Sequence, residues 1–152
     1  MEKVKLIELG TVAKKILSLL PQEGERAVLV TLHGDLGAGK TTFVQALGKE
    51  LGVESIIQSP TYVLMKSYPL DNARGTPASG GRFKKLVHID AYRLNEPEEF
   101  KTLKPESFLS DPAALVVLEW PEQVGDLLPR PDLRLNLSSE GAGADERFIE
   151  IV

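Results

Sequence analysis

The apolar positions along the chain change their spacing in a way that marks out alternating helices and strands. Between residues 3 and 20, Leu6, Leu9, Ala13, Ile16 and Leu20 recur at steps of three and four, which predicts an amphipathic helix. Lys3, Lys5, Glu8, Lys14 and Lys15 lie off that stripe, and Pro21 ends it. The next run, AVLVTLH (27–33), is nearly all apolar, the pattern of a strand buried on both faces. Helical spacing returns at 41–51, where Phe43, Val44, Leu47 and Leu51 share a side and Gly52 ends the run.

The later chain reads mainly as strands. SPTYVLMKSY (59–68) predicts a strand after Pro60, and KLVHI (85–89) and AALVVLE (113–119) predict two more. EPEEFKTL (96–103) predicts a short helix with Pro97 at its start. DLRLNLS (132–138) sets Leu133, Leu135 and Leu137 against Arg134 and Asn136, a half-exposed strand. The Gly-rich turn EGAGADE (140–146) returns it as RFIEIV (147–152). Residues 69–82, dense in Gly, Pro, Ser and Ala, read as an exposed loop between two strands. Strands alternating with helices, then a terminal hairpin, predict an α/β fold: a mixed sheet, parallel centrally and antiparallel at an edge. The whole chain, 1–152, has the size of one domain.

Composition narrows the function. An apolar fraction of 42% supplies a sizeable core. The net charge of −4 argues against a protein that grips nucleic acid by itself, because neutralising phosphates needs a surplus of Lys and Arg. There is no Cys, hence no disulfide framework, thiolate metal site or Cys nucleophile. No run is long enough to span a bilayer, and the first residues lack the layout of a signal peptide, so a cytoplasmic location without membrane contact is expected. His33 and His88 are too far apart, and too embedded in strands, to suggest a zinc site.

The stretch GDLGAGKT (34–41) carries the most specific chemistry. It fits G-x-x-x-x-G-K-[ST], between a buried strand and an amphipathic helix. In such a loop the backbone N–H groups across Asp35, Leu36, Gly37, Ala38 and Gly39 turn toward phosphate oxygens, and bulky side chains would block them. The following helix adds the positive end of its dipole. Lys40 supplies a charge for the β- and γ-phosphates, the Thr41 hydroxyl suits Mg²⁺, and Thr42 is placed for the α-phosphate.

A loop of this kind needs an acid at the carboxyl end of a neighbouring buried strand. Glu119 ends the purer apolar run and is assigned to the metal side; Asp90, ending LVHID, then orients or deprotonates the attacking water. The two assignments can also be exchanged. Thr61, in SPTY (59–62), is a candidate to sense Mg²⁺ or the γ-phosphate, against the alternative of a Pro-led edge strand. Trp120, the only Trp, is a candidate to stack on the nucleotide or gate the site, against a core or partner contact. Arg93 is the one arginine that the sequence places near the acids. No N-K-x-D guanine reader is present, and the only long loop offers a kinase lid little more than Arg74 and Arg82. A hydrolysing ATPase with little substrate pocket of its own remains, with a small-molecule kinase or a nucleotide-dependent binding module as alternatives.

GDLGAGKTT, SPTY, HIDAYR and LEWPE, in that order and at these spacings, closely resemble the bacterial TsaE (YjeE) family over nearly the whole chain. The resemblance implies a P-loop NTPase-like, three-layer α/β fold and weak intrinsic hydrolysis of ATP with Mg²⁺. It also implies docking on a TsaB–TsaD heterodimer that makes threonylcarbamoyladenosine in tRNA, with tRNA met only through that complex. It places Lys40, Thr41 and Glu119 as above, adds weight to Thr61 and Asp90 as catalytic residues, and sets Trp120 near the nucleotide. One departure is that the family has a short strand before its first helix, where this sequence reads as helix almost from the start.

Overall fold

A computed structural model describes residues 1–60, 63–70 and 81–152. Its strands are β1 (Glu2–Lys5), β2 (Val28–His33), β3 (Met65–Pro69), β4 (Lys85–Asp90), β5 (Ala114–Glu119), β6 (Leu133–Ser138) and β7 (Glu146–Ile151). Its α-helices are α1 (Leu9–Leu19), α2 (Lys40–Glu50) and the single turn α3 (Glu106–Leu109). The strands form one sheet in the order β1-β7-β6-β2-β5-β4-β3. The central β6, β2, β5 and β4 run parallel. On the flanks, β7 pairs antiparallel with β6, β1 with β7, and β3 with β4. The expected mixed α/β sheet is therefore present, with antiparallel strands at both edges.

The apolar runs explain the centre. Strand β5 is buried at every position and β2 at all but its last, so both must be covered on two sides. Alternation sorts their side chains. Val28, Val30, Leu32, Leu115 and Val117 meet α1 and α2, which present Ala13, Ile16, Phe43 and Leu47. Leu29, Val116 and Leu118 meet the opposite cover, which contributes Phe100, Phe108 and Val124. Helix, sheet and a second layer of short helices make the three layers. Among the described residues, no helix is long and apolar enough to cross a membrane.

Several expectations are corrected. Residues 3–20 are not one helix: β1 comes first, Leu6–Glu8 form a 3₁₀ turn, and α1 starts at Leu9. The pairing of Glu2–Lys5 with Glu146–Ile149 makes this strand, with only Val4 buried. It supplies the short strand that the resemblance implied. In the segment after Pro60, residues 63 and 64 are not strand and β3 starts at Met65. Residues 97–103 are helical, but of the 3₁₀ type. Strand β6 pairs antiparallel with β7, as the hairpin reading expects, and also parallel with β2 from Val30↔Leu133 to His33↔Asn136. Residues 71–80, most of the predicted loop, lie outside the described residues.

Phe43 is fully buried where α2 meets the sheet. Truncating it leaves a cavity that close packing cannot refill. Phe43→Ala should destabilise the chain by about 3–5 kcal/mol, read as a lowered midpoint in urea unfolding.

Candidate functional site

The parallel strands β2, β5 and β4 bring their carboxyl ends together, the place where α/β sheets form a crevice. Residues 34–39 leave β2 there and lead into α2. Gly34 has φ +143°, and a Cβ on it would stand 2.3 Å from the Leu137 carbonyl, so the loop is seated directly on the backbone of β6. Gly39 precedes α2 in the left-handed region, at φ 97°. The Ala38 N–H closes the turn on the Asp35 carbonyl at 3.1 Å. The amides of Gly37, Gly39, Lys40 and Thr41 meet no acceptor among the described residues. They gather at the start of a helix, as an anion cradle requires.

Strand period selects the acids. On β4, Leu86, His88 and Asp90 share the face toward α2, and on β5 so do Leu115, Val117 and Glu119. Asp90 and Glu119 are direct neighbours in the parallel register. Glu119 is 2% exposed, yet its carboxylate is well held. The Thr41 hydroxyl donates to Oε1 at 2.9 Å and lies 3.2 Å from Oε2, and His88 Nε2 meets Oε1 at 2.7 Å. Asp90 accepts the Ser59 hydroxyl at 3.0 Å and the Tyr92 N–H at 3.0 Å.

Lys40 is 4% exposed. Its ammonium donates to the carbonyls of Gly34 and Asp35, and lies 4.0 Å from the centre of the Trp120 ring. Burial pushes its pKa below the ordinary lysine value; Glu119, then Asp90, oppose the shift. Trp120 sits at φ 62°, uncommon for a non-glycine residue, with Tyr92 at 4.9 Å between ring centres. These groups surround a cavity of about 370 Å³.

Residues 5–149 match the family described as threonylcarbamoyl adenosine biosynthesis protein TsaE. The chain belongs to the TsaE family. It is 33% identical, over 134 residues, to the tRNA threonylcarbamoyladenosine biosynthesis protein TsaE of Haemophilus influenzae, spanning 88% of this chain and 75% of that one. With the protein of the same name from Streptomyces coelicolor it shares 40% identity over 120 residues, 78% of this chain and 74% of the other. The crystal structure of Bacillus subtilis YdiB matches 97% of this chain and 83% of its own, with a TM-score of 0.61 at 26% identity.

In this chain Leu36, Gly37, Gly39, Lys40, Thr41, Thr42, Asp90, Glu119 and Trp120 all line the cavity. Asp35 and Ala38 lie off its wall: Asp35 offers its carbonyl to Lys40, and Ala38 is buried in the core. Arg93 is not among the lining residues. Thr61 lies outside the described residues.

Sequence reasoning missed Ser59, Tyr92 and Arg147 as wall residues. Ser59 and Tyr92 stand inside SPTY and HIDAYR, so those motifs could have given them; nothing near Arg147 in the chain points to the loop. His33 ends β2 and His88 lies within β4, two strands separated by β5. His33 lies near Thr31 and Glu122, and His88 supports Glu119.

Among the charges that oppose the effect of burial on the Lys40 ammonium, Glu119 is the leading one. Glu119→Gln removes it, so Lys40 should titrate at a still lower pH than in the unsubstituted chain. NMR titration of carbon-labelled lysine side chains reads this, and an unchanged or raised midpoint would contradict the assignment.

Proposed function

We propose that the chain is a Mg²⁺-dependent ATPase acting as a regulatory subunit in threonylcarbamoyladenosine biosynthesis, docked on a TsaB–TsaD heterodimer. The observation that carries the reading is the Thr41 hydroxyl on the Glu119 carboxylate, at 2.9 Å, beside a cradle of amides that meet no acceptor among the described residues. The relatives, tRNA threonylcarbamoyladenosine biosynthesis proteins, support the choice of pathway.

The donor set fits magnesium. Thr41 and Glu119 offer hard oxygen atoms, and 2.9 Å is about the separation of neighbouring ligands around an ion with 2.0–2.1 Å bonds. Mg²⁺ keeps several waters and takes phosphate oxygens beside one or two protein ligands, so this pair would be enough to seat it. Bound there, Mg²⁺ would neutralise charge on the β- and γ-phosphates.

The chain's own groups do the rest. The amides of 37–41 hold phosphate oxygens. Lys40 exchanges two loop carbonyls for the phosphate tail. His88 holds Oε1 of Glu119, which leaves Oε2 the less engaged oxygen. Asp90, fixed by Ser59 and Tyr92, orients the attacking water. Trp120 and Tyr92 line the cavity with their rings 4.9 Å apart.

ATP hydrolysis, measured with and without purified TsaB–TsaD, tests the proposal. Turnover by the chain alone should be slow and should rise with the partner. Lys40→Ala or Glu119→Ala should lower hydrolysis by about a hundredfold or more while circular dichroism stays native. Tight ATP binding with no hydrolysis even in the assembled complex would favour a nucleotide-dependent binding module. Phosphoryl transfer to a metabolite, with no response to TsaB–TsaD, would favour a kinase.

A further inference from the structure

Arg147 has no part in the mechanism above. It is the second residue of β7, and alternation puts it on the face of Ile149 and Ile151, the face that carries α2. β7 runs antiparallel to β6, so its first residues lie at the carboxyl end of the parallel strands, beside the phosphate loop. There the side chain passes Gly39: a Cβ on Gly39 would stand 3.3 Å from Arg147 Nε. Arg147 and Gly39 line the same cavity as Lys40 and Thr41.

The guanidinium is anchored along one edge only. Nη1 donates to the carbonyl of Ala144 at 3.3 Å and to that of Glu146. The Glu146 carboxylate is turned elsewhere, accepting the Gly143 N–H at 3.0 Å and facing Lys3 at 3.7 Å. Nε is buried and has no acceptor among the described residues, and no protein group there accepts from Nη2. A buried N–H without an acceptor is costly. An Arg fork held from behind, with its Nε–Nη2 edge unmatched, has the geometry that takes two oxygens of one oxyanion.

We propose that Arg147 is a phosphate-contacting residue whose Nε–Nη2 edge receives a phosphate group of the nucleotide held on residues 34–41. The inference rests on the nucleotide-binding reading of that loop. It gives the cavity a second lining cation besides Lys40, contributed by the last strand of the sheet rather than by the segment around Arg93. Both the charge and the planar fork are required.

Calorimetric titration of the full chain with ADP and with inorganic tripolyphosphate, Mg²⁺ present in both, tests it. Arg147→Ala should weaken both ligands by about tenfold or more, and Arg147→Lys should recover only part of the loss. The unliganded variants should melt with the unsubstituted chain. Arg147→Ala binding both ligands normally would overturn the proposal. So would a loss for ADP with tripolyphosphate unchanged, since the arginine would then serve the nucleoside. If Arg147→Ala does not fold, Arg147→Gln, which keeps an N–H donor without charge or fork, carries the same comparison. Lys40→Ala separates the two levels. If it loses both ligands while Arg147→Ala keeps them, the Arg147 inference alone fails. If the unsubstituted chain binds neither ligand, or Lys40→Ala binds both normally, the loop reading fails and the inference with it.

Discussion

The carboxylate of Glu119 is the constraint around which the rest of the site is arranged. It ends a strand whose every residue is buried and is itself 2% exposed. A carboxylate in such a place is tolerated only when it is hydrogen-bonded and faced by opposite charge. Thr41 comes from the first turn of α2 and His88 from the neighbouring strand β4, and Lys40 adds the cation one residue before Thr41. The position of α2 and the register of β4 against β5 are thus tied to one group. Slipping β4 by one residue would turn His88 and Asp90 to the far face and leave Glu119 short of a partner.

Lys40 shows how the same economy extends to the loop. Taking an ammonium out of water lowers its pKa, and the surrounding acids only partly oppose this. The chain holds the charge with two carbonyls of the loop itself and with the face of Trp120. The left-handed backbone of Trp120 belongs to the same arrangement: it lets the chain turn from Glu119 into Pro121 while the ring stays over the lysine. These contacts are local and polar, so they can be exchanged for other oxygens without disturbing the two apolar cores behind them.

The parts legible in the sequence were those in which one short segment carries the whole signal. The run at 27–33 is nearly all apolar, and the Gly-rich octet after it carries few bulky side chains, so strand, loop and helix follow locally. LVHID and ALVVLE likewise show their own alternation, and it is this alternation that set Asp90 and Glu119 on one face. What stayed hidden depends on pairing between distant segments. Glu2–Lys5 buries one side chain and is strand only because β7 lies beside it. β6 alternates like a half-exposed strand, yet its parallel neighbour is β2, about a hundred residues earlier. Arg147 reads as the polar start of RFIEIV, and only the seating of β7 over Gly39 brings it to the loop.

Charge balance in the cavity gives the proposed chemistry its internal logic. The chain is acidic overall, with a net charge of −4, and Asp90 and Glu119 stand side by side on the cavity wall. Lys40 and Arg147 offset them, which leaves no surplus of positive charge for a triphosphate. On the proposed reading, a bare nucleotide laid on the amides of 37–41 would meet two carboxylates as like charges in a partly water-excluded site, where such repulsion is strong. A divalent cation seated between phosphate and Glu119 reverses the sign of that contact. On that reading the acids that would repel the free nucleotide would select its metal complex, and the need for an ion would follow from where β4 and β5 end.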